Sequence, residues 1–209
     1  SFALDNASAA VQSLNASDVI EQTLTYRITD ADGDSSPASV TIKIVGADDA
    51  AKVTVSAEGA DSTVYEAGLN PNGSAAAGNS ETDSDSFQVS ASDGIKSVVV
   101  GGETFTLAQL KDAAYLAANT INTGEGTLTL TGYSGDAGDM SATITYSYTL
   151  DSAQTHTQPG NDTTLSDSVV VTVNGVGGSS DTANLTIDII DDVPKATADG
   201  TQTVTEDGT

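Results

Sequence analysis

The sequence predicts an all-β protein built from tandem β-sandwich modules, with one short helix. Short runs of alternating apolar and polar residues recur along the chain, and Gly, Asn, Asp and Ser separate them at short intervals. One segment returns 145 positions further on without a gap. Aromatic residues make up 4% and hydrophobic residues 37% of the chain, so each core must be small and built mainly from Val, Ile, Leu and Ala.

The internal repeat defines the domain organisation. Residues 26–45 match residues 171–190, so that Ile42 aligns with Ile187 and Ile44 with Ile189. A second similarity joins 63–68 (TVYEAG) to 203–208 (TVTEDG). Self-similarity at a fixed spacing indicates repeated structural units. We therefore expect residues 1–50 to be the C-terminal part of a preceding repeat, 51–191 a complete repeat and 192–209 the start of the next.

The first unit is expected to contain a β-hairpin. Residues 23–29 and 39–45 alternate cleanly, and the Asp-Ala-Asp-Gly-Asp sequence between them suits a tight turn. Two or three strands cannot bury a sufficient core by themselves. This segment should therefore need further strands to complete a sandwich.

The middle unit is expected to contain eight strands and a helix. The predicted strands are 53–57, 63–66, 86–91, 95–100, 126–131, 142–150, 168–173 and 183–190. Thr106 is a candidate N-cap for a helix over 107–118, with Leu107, Leu110, Ala114 and Tyr115 on one stripe. A pair of strands with a polar face is the alternative for this segment.

Charge and composition exclude several classes of function. The chain has 30 acidic and 6 basic residues, a net charge of -24, which disfavours nucleic acid and anionic membranes as partners. Cys is absent, so no disulfide or thiol nucleophile exists, and no apolar run is long enough to predict direct membrane insertion. The single histidine, His156, lies in a Thr/Gln/Pro-rich loop, where neither a zinc site nor a catalytic triad is expected. The sequence therefore predicts no enzyme.

The acidic turn of the first unit is a candidate calcium site. Ca²⁺ prefers six to eight oxygen ligands, and Asp30, Asp32 and Asp34 place alternate carboxylates in one turn. The EF-hand pattern fails, because Thr41 stands where a bidentate Glu is needed. A solvated hairpin turn is the alternative interpretation. The second copy replaces all three acids by Gly175, Gly177 and Ser179.

The hinges between units are the better calcium candidates. Asp48 and Asp49 follow the last strand of the first unit, and Asp191 and Asp192 follow the last strand of the second. Both copies keep these acids, whereas only one copy keeps the acidic turn. Plain flexible acidic linkers are the alternative.

Five motifs, taken in order, carry a resemblance to a known family: 2–7 (FALDNA), 11–14 (VQSL), 26–34 (YRITDADGD), 64–68 (VYEAG) and 146–151 (YSYTLD). They resemble the tandem extender repeats of large RTX-type bacterial adhesins exported by type I secretion. The first three resemble a VCBS-type repeat. These modules are β-sandwiches related to cadherin-like and immunoglobulin-like domains. The Gly-rich nonapeptide of RTX β-rolls is absent.

The resemblance implies a calcium site in which each linker serves two modules. Glu66 would join Asp191, Asp192, Asp151 or Asp162, and Glu206 would serve the following unit. It also implies a non-catalytic, calcium-stabilised spacer on the bacterial cell surface that projects a distal adhesive domain for attachment or biofilm formation.

Two further expectations remain open. A calcium-dependent carbohydrate-binding module is the main alternative function, although the chain offers only six Tyr and three Phe for stacking on sugars. The expected partners are neighbouring repeats of the same polypeptide. Residues 1–50 and 192–209 could also complement each other between molecules and give head-to-tail contacts.

Overall fold

A computed structural model describes residues 2–6, 8–12, 14, 16–47, 50–54, 61–156, 165–192, 200, 201, 203, 205 and 206. The described chain forms a β-hairpin followed by a β-sandwich of two five-stranded sheets. The predicted all-β class is confirmed. Within the described ranges no helix is long and apolar enough to cross a membrane.

The hairpin consists of β1 (Val19–Thr29) and β2 (Ser35–Val45), after a short helix α1 (Ala9–Gln12). The strands pair antiparallel, with Thr29 opposite Ser35 and Val19 opposite Val45. Both strands include the predicted segments and begin earlier. The turn closes on Asp30 Oδ1, which accepts hydrogen bonds from the backbone N–H groups of Gly33 and Asp34 at 3.1 and 2.9 Å. Gly33 adopts a φ of +99°, which suits glycine.

The sandwich contains ten strands in two sheets. The first sheet has the order β3-β5-β10-β9-β8 and the second β4-β12-β11-β6-β7. The strands are β3 (Ala51–Thr54), β4 (Ser62–Tyr65), β5 (Thr82–Ala91), β6 (Ile95–Val100), β7 (Glu103–Thr106), β8 (Ile121–Asn122), β9 (Gly126–Gly135), β10 (Ser141–Leu150), β11 (Leu165–Gly175) and β12 (Ser180–Ile190). Each predicted strand of this unit coincides at least in part with an observed one, while β7 and β8 were not predicted.

The core lies between the two sheets and follows the alternation of the strands. Along β11, Val169, Val171 and Val173 are buried, and the residues between them face outward. The first sheet contributes the largest buried side chains, including Tyr146 and Phe87, whose ring centroids lie 6.2 Å apart. Apart from these rings the core is mainly aliphatic, as the composition predicts.

The segment 107–118 is helical, as predicted, but its helix is not continuous. The segment forms two short helices, α2 (Leu107–Leu110) and α3 (Ala113–Ala118). Thr106 caps α2 in a capping box with Gln109, as predicted, but Asp112 caps α3 by accepting from two backbone N–H groups. The second cap resets the helical phase, so Leu116 is buried and the predicted Ala114 is exposed.

The chain enters and leaves the sandwich at opposite ends. We call the end where β3 begins the upper end: Ala51 pairs with Ala91 there, close to the turn between β11 and β12. We call the other the lower end, where β12 finishes with Ile190 beside Tyr65. The eleven residues of β12 connect the two ends over about 35 Å.

Candidate functional site

A parallel strand pair builds the candidate site at the lower end. β4 and β12 run side by side with Tyr65 opposite Ile190, so the residues that follow them, Glu66 and Asp191, emerge next to each other. Glu66 opens a 3-10 turn, Glu66–Gly68, and is only 4% exposed.

The segment after β10 brings a third side chain to this point. Gln154 donates its backbone N–H to Glu66 Oε1 at 2.6 Å, and His156 Nε2 lies 3.0 Å from the same oxygen. The side chains of Glu66 and His156 are each 5% exposed. One ligand atom from each of Glu66, His156 and Asp191 lies within 4.8 Å of the others. We call these three residues the lower cluster.

A tightly wound loop holds the 3-10 turn in place. Gly73 N donates to Leu69 O at 2.6 Å, and Ala75 N donates to Ala67 O at 2.8 Å. A Cβ atom at Gly73 would collide with the carbonyl oxygen of Ala67, so only glycine fits there. These backbone hydrogen bonds from the 73–75 segment therefore hold the turn that carries Glu66.

An unsatisfied carboxylate oxygen lies beside the same turn. Glu81 Oε2 is buried and makes no hydrogen bond within the described part of the chain, and it would lie against a Cβ atom at Gly68. Buried acceptors normally have a hydrogen-bond partner or a bound ion. This oxygen is therefore a candidate ligand for a cation or a water molecule. The lower end thus concentrates carboxylate groups that a cation would neutralise.

The ligand atoms of the lower cluster are of types that bind cations. It offers carboxylate oxygens, which suit hard cations such as Ca²⁺, and one imidazole, which suits Zn²⁺ and other first-row metals. Ca²⁺ would need further oxygens from backbone carbonyls and water, because it takes six to eight. An imidazolium at His156 would itself balance one carboxylate charge.

Two of the acids that the resemblance assigned to this site have other roles. Asp192 accepts hydrogen bonds from Ser74 N at 2.6 Å and Ser74 Oγ at 2.5 Å. These bonds hold the pKa of Asp192 below its ordinary value. Asp151 accepts from Thr127 Oγ1 at 3.0 and 3.2 Å. Among the described residues neither belongs to the lower cluster.

Three predicted ligands cannot be placed. Asp48, Asp49 and Asp162 lie outside the described residues. Glu206 is described and exposed, and within the described ranges it belongs to neither group of potential ligands. The hinge after the first unit therefore remains a prediction.

The acidic turn brings its three predicted residues together, but on the solvent-exposed surface. One carboxylate oxygen from each of Asp30, Asp32 and Asp34 lies within 4.8 Å of the others, and all three residues are exposed. A side-chain hydrogen bond with Asp32, followed by backbone N–H groups of the turn, holds the pKa of Asp30 below its ordinary value. The Asp30 carboxylate already closes the turn, which matches the interpretation as a solvated hairpin turn.

His156 is the member of the site that sequence reasoning missed. It is the only histidine in the chain and lies 90 positions from Glu66 in a polar loop, so no spacing pattern links the two. It contacts Glu66, and its ligand atom lies within 4.8 Å of those of Glu66 and Asp191, so the structure brings it into a group that could hold a metal ion.

Buried acids outside the lower cluster stabilise the fold. Asp61 Oδ2 accepts from Thr186 N at 2.7 Å and links the start of β4 to β12. Asp167 Oδ2 accepts from the Tyr148 hydroxyl at 2.8 Å between the two sheets. Each of these carboxylates therefore has a hydrogen-bond partner within the sandwich.

Comparisons with known proteins assign no family. No family model matches the chain, and no curated protein matches its sequence. The extracellular domain of protocadherin gamma B4 matches at 13% identity with a TM-score of 0.34, over 81% of this chain. The chain spans only 20% of the length of that structure. This similarity is too low to carry an argument about function.

Proposed function

We propose that this chain is a non-catalytic extender of a secreted bacterial surface adhesin, built from tandem β-sandwich repeats and stabilised by calcium. The observation that carries the proposal is a repeated hairpin with the same register. Thr29 pairs with Ser35 in the first copy, and the residues 145 positions later, Asn174 and Ser180, pair with each other in the second. The sequence repeat is therefore also a structural repeat.

The positions of entry and exit support a linear array. Because the chain enters the sandwich at the upper end and leaves it at the lower end, successive units would follow one another along one direction. Such an array gains length with each repeat, as a spacer requires. A projecting spacer on the bacterial cell surface agrees with the resemblance to extender repeats.

The lower cluster supports a role for calcium at the junction. Glu66 and Asp191 are brought together where β12 ends, at the boundary that the sequence repeat predicts for the next unit. Two carboxylates at this distance repel each other in a chain that already carries a net charge of -24. A bound Ca²⁺ would remove this repulsion and fix the direction in which the chain leaves the sandwich, and binding energy would add to the folding energy.

The positions of the aromatic residues argue against the carbohydrate-binding alternative. Four of the nine rings are buried in the core: Phe87, Phe105, Tyr146 and Tyr148. Tyr115 and Tyr133 are partly buried against it, which leaves three largely exposed rings: Phe2, Tyr26 and Tyr65. Phe2 and Tyr26 precede the sandwich, so the sandwich offers one largely exposed ring, Tyr65, for stacking on a sugar.

Calorimetric melting with calcium and with chelator tests the proposal. We expect calcium to raise the melting temperature of the sandwich, and we expect Glu66→Gln to abolish this shift. Asp30→Asn is the matched control, because it removes a carboxylate from the exposed turn and should leave the shift of the sandwich unchanged. No calcium-dependent shift in the unmodified chain would refute the calcium-stabilised extender. Chelator-sensitive binding to a glycan array would favour the alternative.

A further inference from the structure

Two turns meet at the upper end of the sandwich and bury a carboxylate between them. They are the turn between β5 and β6 (92–94) and the turn between β11 and β12 (176–179). Val176 N donates to Gly94 O at 3.0 Å, and Gly177 N donates to Asp93 Oδ2. Asp93 is only 6% exposed. Its carboxylate therefore links the two turns and is shielded from solvent.

The second oxygen of this carboxylate has no donor. Asp93 Oδ1 and Ser179 Oγ are both buried, and neither makes a hydrogen bond within the described ranges. A Cβ atom added to Gly175 would lie 2.6 Å from Asp93 Oδ1 and 2.5 Å from Ser179 Oγ. Both oxygens therefore approach one point beside Gly175, where any side chain would collide with them. We call Asp93 and Ser179 the upper site.

The charge of Asp93 is not balanced by a basic side chain. In the described part of the chain the salt bridges join Lys111 to Asp139 and His156 to Glu66, and neither includes Asp93. A buried carboxylate is costly unless a charged partner and hydrogen bonds compensate it. Gly177 N supplies one hydrogen bond to Oδ2. A cation at Oδ1 would supply the missing charge.

The ligand atoms select the class of cation. The upper site offers a carboxylate oxygen and a hydroxyl oxygen, which suit hard cations that take oxygen ligands. Its single carboxylate balances one positive charge. Among the described residues, Asp93 belongs to neither group of three potential ligands, so no second acid is gathered there in such a group. A monovalent ion therefore fits the charge better than a divalent one.

The internal repeat supports this charge count. Gly175, Gly177 and Ser179 occupy the positions that Asp30, Asp32 and Asp34 hold 145 residues earlier. The turn of the second unit thus has three fewer carboxylates, and a hydroxyl replaces the last of them. A divalent ion at Asp93 would leave an excess positive charge in a buried position, whereas a monovalent ion would be neutralised.

We propose that the upper site binds Na⁺, held by Asp93 Oδ1 and Ser179 Oγ. Backbone carbonyl oxygens of the two turns have a second lone pair and can complete the ligand shell. Na⁺ is the smaller of the two common monovalent metal ions, which suits oxygens with almost no accessible surface. The ion would tie the β5–β6 turn to the β11–β12 turn. The lower cluster takes no part.

Thermal unfolding of the full chain in chelator tests the proposal. NaCl is compared with choline chloride and with KCl at equal ionic strength. At a Na⁺ concentration about ten times the Kd, binding increases the folded-to-unfolded ratio roughly 11-fold. For a domain of roughly 150 residues this raises the melting temperature by about 3–6 °C relative to choline. A shift in KCl equal to or larger than that in NaCl would overturn the assignment to Na⁺.

Three variants separate binding from a general salt effect. Asp93→Asn should remove the difference between NaCl and choline chloride, and in choline it should not lower the melting temperature, because it removes an uncompensated charge. Ser179→Ala should reduce the difference, and its hydroxyl makes no hydrogen bond whose loss would unfold the chain. Asp85→Asn is the matched control: Asp85 is exposed in β5 and accepts from the adjacent Ser86 N at 2.7 Å. This variant should keep the full difference.

Sodium NMR provides a direct readout of binding. The line width of the Na⁺ signal should increase when the unmodified chain is added, and Ser179→Ala should reduce this increase. Equal melting temperatures in the three salts would overturn the proposal, as would a Na⁺ shift that both Asp93→Asn and Ser179→Ala retain. Because chelator is present throughout and Glu66 is not involved, a failed calcium response leaves this test unaffected.

Discussion

The repeat provides a matched pair of substitutions whose effects should differ strongly. Ile187 in β12 is fully buried, whereas Ile42 holds the equivalent position in β2 and is only partly buried. Replacing a buried Ile by Ala costs about 2–5 kcal/mol, since the removed methyl groups leave a cavity. For a domain of roughly 150 residues, this lowers the melting temperature by about 4–20 °C. At the partly exposed Ile42 the same change should cost about 1 kcal/mol or less.

Thermal unfolding of dilute protein, followed by the circular dichroism of the buried tyrosines, measures both variants. Tyr146 and Tyr148 lie in the sandwich core, so their signal reports the middle unit. Ile187→Ala should shift this transition downward, and Ile42→Ala should leave it in place. Equal shifts would mean that the hairpin belongs to the same cooperative unit as the sandwich, which would refute the reasoning from the partial exposure of Ile42.

Three further predictions concern single contacts. Tyr148→Phe should cost about 1–3 kcal/mol in denaturant unfolding, because it leaves the buried Asp167 carboxylate without its hydroxyl donor; an unchanged midpoint would show that this bond contributes nothing. The hydrogen bonds from Ser74 depress the pKa of Asp192, so its contribution to stability is complete above the ordinary carboxyl pKa of 3.8 and is lost as the pH falls below it. Asp192→Asn should therefore make the free energy of unfolding fall less steeply with decreasing pH in the acidic range. A pH profile identical to that of the unmodified chain would contradict this assignment. Gly73→Ala should reduce the calcium-induced melting shift, because the added Cβ displaces the turn that carries Glu66; a full shift in this variant would contradict that link.

Most of the fold could be predicted because its strands carry a clear alternation. β11 and β12 place aliphatic side chains on every second position, which suffices to identify a half-buried strand. β7 and β8 have four and two residues, too few for a period to be visible. The break between α2 and α3 depends on Asp112, whose side chain caps the second helix instead of continuing the first. Local patterns cannot distinguish these outcomes.

The site was predictable only in part. The resemblance suggested Glu66 with Asp191, and the parallel pairing of β4 and β12 brings these two residues together. His156 reaches them through a loop after β10, and contacts of this kind depend on the path of the chain in space. Asp192 was expected beside Glu66, but Ser74 binds it instead, and no local pattern indicates this competing partner.

The opposite positions of entry and exit have a mechanical consequence. A pull between residues 51 and 191 acts along the strands, so it shears the hydrogen bonds of β12 all together rather than opening them one by one. β12 is held on both sides, by ten paired residues of β11 and four of β4. β3 pairs along one edge through four residues, supported by Asp181, which accepts from Val53 N at 2.8 Å. Under tension β3 should yield first, lengthening the chain while the rest of the sandwich stays folded.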